Sequence, residues 1–314
     1  MSATFLDQLK AYTTVVADTG DLQAIERLRP QDATTNPSLM IAAVKMPQYA
    51  EVVDATLARS RSVDDAVDAL AVEFGGRILG LIPGRVSTEV DAHLSFDEEG
   101  TYRKAHELID RYAAVGIGPE RVLIKIASTW EGIAAAGRLE QEGIHCNLTL
   151  LFGLHQAIAC ADVGVTLISP FVGRILDWYK QRTGRDSYPA TEDPGVLSVT
   201  GIYHYFKKYG YGTEVMGASF RNAGEIIELA GCDLLTISPG LLDELAGMTG
   251  VLERRLDPAH SSAVGGERLA MTHALFTTMH AADEMASEKL AEGISKFAQD
   301  GDALRALVAA RLGS

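Results

Sequence analysis

Lys125 interrupts the apolar run Val122-Leu123-Ile124-Lys125-Ile126-Ala127, which is short enough for a buried parallel strand and has no acidic neighbour in sequence. Burial disfavours the ammonium form, so such a lysine either needs a partner or shifts toward a neutral, nucleophilic amine. A neutral amine can attack a carbonyl carbon and form a Schiff base. Two quieter readings stand beside this one: an ion pair with a carboxylate distant in sequence, or an ammonium reaching from a strand end on its apolar stem.

Around this run, short β-rich apolar segments alternate with longer segments of helical period, the pattern of βα units around a parallel sheet. Strands are predicted over residues 14–17, 32–35, 78–82, 122–127, 145–150, 166–169, 214–218 and 234–237. Eight strands predict a TIM (β/α)8 barrel. A doubly wound sheet is the rival, but no Gly-x-Gly-x-x-Gly follows the first strand.

The helices carry local signals. Asn36-Pro37 supplies an N-cap and a first-position proline for a helix over 38–45. Ser128-Thr129-Trp130-Glu131 fits a capping box after the lysine strand, and Gly143 can end that helix. Residues 267–297 and 302–312 read as helices beyond the eighth strand, which lengthens the chain past the roughly 250 residues of a minimal barrel. The opening residues read as the first turns of a surface helix, and 183–195 as a surface connection. The expectation is one α/β barrel domain over 1–314, with additional N- and C-terminal helices and the last ones, from about 267, packed on the barrel.

Barrel chemistry is found at the carboxyl ends of strands and in the loops after them. Asp18 closes the first predicted strand, and Thr34 and Asn36 close the second. Glu89 falls in the loop after the third, and Lys125 within the fourth. Asn147 and Thr149 share one face of the fifth, Ser169 ends the sixth with Arg174 soon after, and Ser219 and Arg221 end the seventh. Each has a bland alternative. Asp18 suits a turn before Gly20, Asn36 an N-cap, Ser169 a turn before Pro170, Glu89 a solvated loop, and the arginines surface pairing. Asn147 and Thr149 resist this, because buried polar groups need partners. Seven successive units delivering a polar group to one rim favour a site.

Composition narrows the partners. A net charge of -14 argues against nucleic-acid binding, which needs clustered Lys and Arg, yet leaves room for a phosphorylated small molecule held by one or two arginines. No stretch of eighteen apolar residues predicts a membrane span, and the first ten residues lack the basic-then-apolar pattern of a secretory signal. Cys146, Cys160 and Cys232 show no metal-ligand spacing and suit reduced thiols in the cytoplasm. His93, His106, His155, His204, His273 and His280 show no ligand spacing either and read as helix-surface residues. Schiff-base chemistry needs neither cofactor nor metal. A homodimer is among the assemblies left open.

At these residues the sequence resembles the transaldolases. Six ordered stretches carry the resemblance: Asp32-Ala33-Thr34-Thr35-Asn36-Pro37-Ser38, Gly84-Arg85-Val86-Ser87-Thr88-Glu89-Val90-Asp91, the lysine run through Trp130, Cys146-Asn147-Leu148-Thr149-Leu150-Leu151-Phe152, Ile168-Ser169-Pro170-Phe171-Val172-Gly173-Arg174, and Met216-Gly217-Ala218-Ser219-Phe220-Arg221. The resemblance implies a class I aldolase barrel that moves a dihydroxyacetone unit between sugar phosphates. By it, Lys125 is the Schiff-base lysine and Asp18 handles the proton of the hydroxyl at the breaking bond. Glu89 with Thr149 holds a catalytic water. Asn36, Asn147 and Ser169 bind substrate hydroxyls, and Arg174, Arg221 and Ser219 bind the distal phosphate. Related fructose 6-phosphate aldolases carry a glutamine and a tyrosine where this chain has Glu89 and Phe171, which resembles the transferase branch instead. A catalytically silent sugar-phosphate-binding barrel is the third alternative.

Overall fold

A computed structural model of the chain describes residues 3–263 and 267–313. Eight strands, β1 (Thr14–Asp18), β2 (Asp32–Thr34), β3 (Val86–Glu89), β4 (Val122–Ala127), β5 (Cys146–Leu151), β6 (Leu167–Pro170), β7 (Glu214–Gly217) and β8 (Leu234–Ile237), pair in chain order. Every ladder is parallel, and β8 returns to β1, so the sheet closes into the expected barrel. The helices are α1 (Phe5–Leu9), α2 (Leu22–Leu28), α3 (Pro37–Lys45), α4 (Ala50–Leu57), α5 (Val63–Leu79), α6 (Glu98–Ala114) and α7 (Trp130–Gln141) in the first half. The second half adds α8 (Leu154–Asp162), α9 (Val172–Thr183), α10 (Pro194–Tyr209), α11 (Ala223–Glu228), α12 (Pro239–Gly247), α13 (His273–Ala282) and α14 (Glu284–Leu312).

The period of two along each strand divides the sheet into two faces. Ile124, Ile126, Leu148, Ile168, Val215 and Leu235 face the helix layer in the main hydrophobic core. Val16, Leu123, Leu167, Met216 and Leu234 form a separate buried cluster that fills the barrel. Two positions further along the same face stand Asp18, Lys125, Ser169 and Thr236, so an apolar plug underlies a polar layer at the carboxyl end. At the opposite end Arg85 closes the barrel on Asp32 at 3.1 Å and Glu214 at 2.9 Å, an arrangement that supports the fold away from the mouth.

Helix α14 straps the mouth. Its first half buries Met285, Leu290 and Phe297 against Leu150, Phe152 and Phe171. Its second half buries Leu304 and Val308 against Leu70 and Phe74 of α5. Each such side chain contributes about 1.5–3 kcal/mol. Polar ties join it to the strand-end loops: Ser38 donates to Asp300, and Arg305 pairs with Asp91 of the β3–α6 connection.

Five expectations are corrected. Residues 78–82 are not the third strand: Ile78 and Leu79 end α5, with Phe74 and Ile78 one turn apart and fully buried, and the strand is the more polar Val86–Glu89. A short apolar run does not distinguish a buried helix end from a strand. Glu89 is therefore the last residue of β3 and not a loop residue. The C-terminal helices break at Asp283, whose side chain caps α14 by accepting from Ala286 N, and α14 runs unbroken through 298–301. Thr129, not Ser128, caps α7 by accepting from Gly132 N, because Ser128 Oγ donates to the Thr149 carbonyl. Finally, His155 is buried beneath α13, its Nε2 2.9 Å from His280 Nδ1, and burial pushes its pKa down to about 4.

Candidate active site

Strand register assembles the centre. Glu89, Lys125 and Asn147 are successive partners across β3, β4 and β5. The Lys125 Nζ lies 3.2 Å from Glu89 Oε2 and donates to the Thr35 carbonyl at 3.2 Å. Both side chains are about 95% enclosed, at 5% and 6% exposure, so this contact is unscreened by solvent. Across the barrel, Thr34, partner of Asp18 in the β1–β2 ladder, donates its Oγ1 proton to Asp18 Oδ1 at 2.9 Å and lies 2.7 Å from Thr236 Oγ1. Asn147 donates to Ser87 Oγ at 3.0 Å and accepts from Ser169 Oγ.

Burial pushes both the Asp18 and the Glu89 carboxyl above the ordinary carboxylate range, and the Lys125 charge pulls each partly back. Two acids that both feel the charge of one buried lysine, each poised to hold or release a proton, are the requirement for acid/base work beside it. Asn36 is the N-cap of α3, its Oδ1 accepting from Leu39 N at 3.0 Å, and it also lines the cavity. Capping uses the carbonyl oxygen and leaves the amide N–H groups for a ligand. Thr149 Oγ1 and Glu89 Oε2 are buried without a well-aligned hydrogen bond. Such atoms hold water or substrate in a working site.

A cavity of about 110 Å³ gathers Asp18, Asn36, Lys125, Ser169, Phe171, Arg174 and Ser219. The Arg174 guanidinium lies 5.0 Å from the Phe171 ring centre and 5.4 Å from that of Phe297. Burial, and next the charge of Arg221, lower its proton affinity. Arg221 sits at the rim, 40% exposed, donating to Asp177 Oδ2 at 2.7 Å and to Ser219 Oγ at 3.3 Å. Ser219 holds a positive φ of 63°. Two guanidiniums and a hydroxyl at one rim fit a phosphate dianion.

All eleven residues singled out from the sequence thus lie at one end of the barrel. Four others were missed. Thr236 shares the inward face of β8 with Leu234 and was legible from period two. Ser38 lines the cavity from the first turn of α3, and Phe297 only because α14 crosses the mouth, which no local pattern reveals. Gln156 is the fourth. Leu150 has a positive φ of 52° where the β5–β6 register shifts. Buried Gln156 clamps this bulge, accepting from Phe152 N and Gly153 N and donating to the Leu150 and Ser128 carbonyls. No group of three His, Cys, Asp or Glu among the described residues is arranged to hold a metal. No helix among them is long and apolar enough to cross a membrane.

The family model described as transaldolase/fructose-6-phosphate aldolase matches residues 15–308. The chain is similar to a protein of Trichormus variabilis named transaldolase, with 64% identity across 99% of this chain and 97% of that one. It is likewise similar to the transaldolase of Methylococcus capsulatus, 61% identical across 99% of this chain and 98% of that one. For the transaldolase of Thermosynechococcus vestitus the identity is 63%, across 96% of this chain and 80% of that one.

Proposed function

Because the chain belongs to the transaldolase/fructose-6-phosphate aldolase family, we propose that Lys125 is its Schiff-base lysine and that Asp18, Glu89 and Thr149 move the protons around it. The enzyme is a transferase, a transaldolase of the non-oxidative pentose phosphate pathway. It carries a dihydroxyacetone unit from sedoheptulose 7-phosphate or fructose 6-phosphate to glyceraldehyde 3-phosphate or erythrose 4-phosphate.

The single observation that carries the residue assignment is the Glu89–Lys125 contact at 3.2 Å inside a closed barrel. A carboxylate raised by burial is a competent acceptor for the ammonium proton, and the amine so freed attacks the ketose carbonyl. The carbinolamine loses water, assisted by the proton on Glu89 and a water held between Glu89 and Thr149, to give the protonated imine. Asp18 takes the proton of the neighbouring hydroxyl, its electrons form the departing aldehyde, and the carbon–carbon pair flows into the imine as an enamine. The enamine then adds to the acceptor aldehyde, and hydrolysis returns the free lysine. Asn36, Asn147 and Ser169 hold the donor hydroxyls. Arg174, Arg221 and Ser219 hold the phosphate. Phe171 lines the site without a titratable group, so the waiting enamine meets no tyrosyl proton.

Borohydride reduction in the presence of fructose 6-phosphate, followed by peptide mass spectrometry, tests this. The expected mass increment is on Lys125, and labelling confined to another lysine overturns the assignment. Turnover that requires erythrose 4-phosphate separates the transferase from an aldolase releasing free dihydroxyacetone.

A further inference from the structure

A second chamber, of about 280 Å³, lies outside the barrel between α3, α5, α6, the β3–α6 connection and α14. Thr35 and Glu89 belong to its inner wall. These are the two residues in contact with the Lys125 ammonium, each at 3.2 Å. The reactive nitrogen is therefore one residue layer from this chamber as well as inside the mouth cavity. The wall is mixed: Met40, Leu94, Leu108 and Leu304 give it an apolar face, while Asp64, Asp68, Asp91, Lys104 and Arg305 bring charged groups to it, and the Asp64 side chain is 77% exposed to solvent. A water occupies about 30 Å³ of liquid, so the chamber has room for several. Asn36 and Phe297 form the partition between the two spaces.

Imine chemistry moves one water out and one back in each cycle. The amine adds to the carbonyl, the carbinolamine oxygen is protonated, and the C–O bond breaks with its electron pair leaving on water while the nitrogen lone pair forms the iminium. Hydrolysis reverses each step. Throughout, a sugar phosphate anchored by Arg174 and Arg221 fills the mouth cavity of about 110 Å³ and blocks that path. We propose that the chamber beneath α14 is a separate water port, through which water reaches and leaves the Lys125 imine past Glu89 and Thr35. The proposal rests on the Schiff-base reading. It assigns the charged groups of the chamber a role in hydration and makes the Asp91–Arg305 pair the outer closure of the port.

The test follows the carbonyl oxygen. Fructose 6-phosphate labelled with oxygen-18 at carbon 2 is incubated with enzyme and no acceptor, and loss of label is read by mass spectrometry beside borohydride trapping of Lys125. Ala71→Leu from α5 and Gly301→Leu from α14 narrow the chamber from opposite walls. At Gly301 an added Cβ meets nothing closer than Arg305 Nη1 at 3.5 Å, and leucine for glycine favours a helix. Ala71→Ser and Gly301→Ser leave the chamber open. The expected result is label loss several-fold slower in both leucine variants and unchanged in both serine variants, with equal final trapping in all. Leucine variants that trap Lys125 fully and lose label at the wild-type rate overturn the water port, as do serine variants slowed as much as the leucine ones. Failure of wild-type enzyme to trap at Lys125 overturns the Schiff-base reading instead.

Discussion

Glu89 and Lys125 are register partners on β3 and β4, with the carboxylate 3.2 Å from the ammonium. The partner that a structural buried lysine needs and the proton acceptor that a Schiff-base lysine needs are the same group. Ion pairing and chemistry are therefore not alternatives in this barrel.

Stability and activity should separate at this pair. Removing one member of a buried pair leaves the other uncompensated, at a cost of about 3–5 kcal/mol. Glu89 is already pushed up by burial, so it takes up a proton when the lysine is lost. Lys125→Met should abolish transfer but lower stability in urea by less than that range at low pH, where Glu89 holds its proton, and by more as pH rises. Glu89→Gln should slow formation of the borohydride-trapped Lys125 adduct and transfer together, by about 10²–10⁴-fold. A Lys125→Met protein whose stability does not fall relative to the wild type at any pH above the ordinary carboxylate range would contradict the proton uptake.

In the proposed mechanism Asp18 acts at a different step. Its carboxyl is held by Thr34 at 2.9 Å, and Thr34 in turn by Thr236 at 2.7 Å. Asp18→Asn should leave the Lys125 adduct intact under borohydride yet slow cleavage of the carbon–carbon bond by about 10²–10⁴-fold. Thr34→Val removes only the orienting bond, so a smaller loss in kcat with trapping unchanged is expected. Equal losses in trapping and cleavage for Asp18→Asn would move its role to imine formation.

Much of this was legible in the sequence because a barrel imposes one rule: polar residues at strand carboxyl ends meet. Lys125 obeyed it on a strand located to the residue, and Asn147 and Ser169 on strands located to within one. Asp18 and Asn36 obeyed it on strands located to within a residue. The third strand was misplaced, since Ser87, Thr88 and Glu89 are polar on both faces, while the apolar 78–82 imitates a strand. Even so, Glu89 was singled out, because it followed the misplaced strand and so fell at the same rim. What stayed hidden depends on distant chain segments. Phe297 reaches the cavity, and Asp300 reaches Ser38, only through the path of α14. Gln156 is an ordinary helix residue until the backbone of Leu150 turns left-handed beside it.

That bulge gives a third prediction. Gln156 is fully buried and makes four hydrogen bonds to backbone groups of the β5 end and Ser128. Each buried backbone group left unpaired costs about 1–3 kcal/mol. Gln156→Leu should therefore lower stability in urea by about 3 kcal/mol or more and reduce kcat, since Thr149 precedes the strained Leu150. Gln156→Glu keeps the acceptor but not the donors and should be intermediate. A Gln156→Leu protein of wild-type stability would show that the bulge holds itself.

The rim around Arg221 carries a stability switch. Glu225 Oε2 accepts from Arg221 N at 2.7 Å, and burial raises its pKa to about 7, with the Asp193 charge adding to the rise. The folded state thus binds this proton more tightly than the unfolded chain, whose carboxyl titrates near 4.5. Its contribution is fully present below pH 4.5 and is lost as pH rises through 7. Glu225→Gln keeps an oxygen acceptor for Arg221 N and removes the titration. The variant should match the wild type near pH 5 and exceed it in Tm near pH 8, with a flatter profile between. Because Arg221 stays anchored, KM for fructose 6-phosphate should change little. A wild-type Tm that rises across this window, once other groups are matched by the variant, would place the Glu225 proton on the unfolded side and refute the assignment.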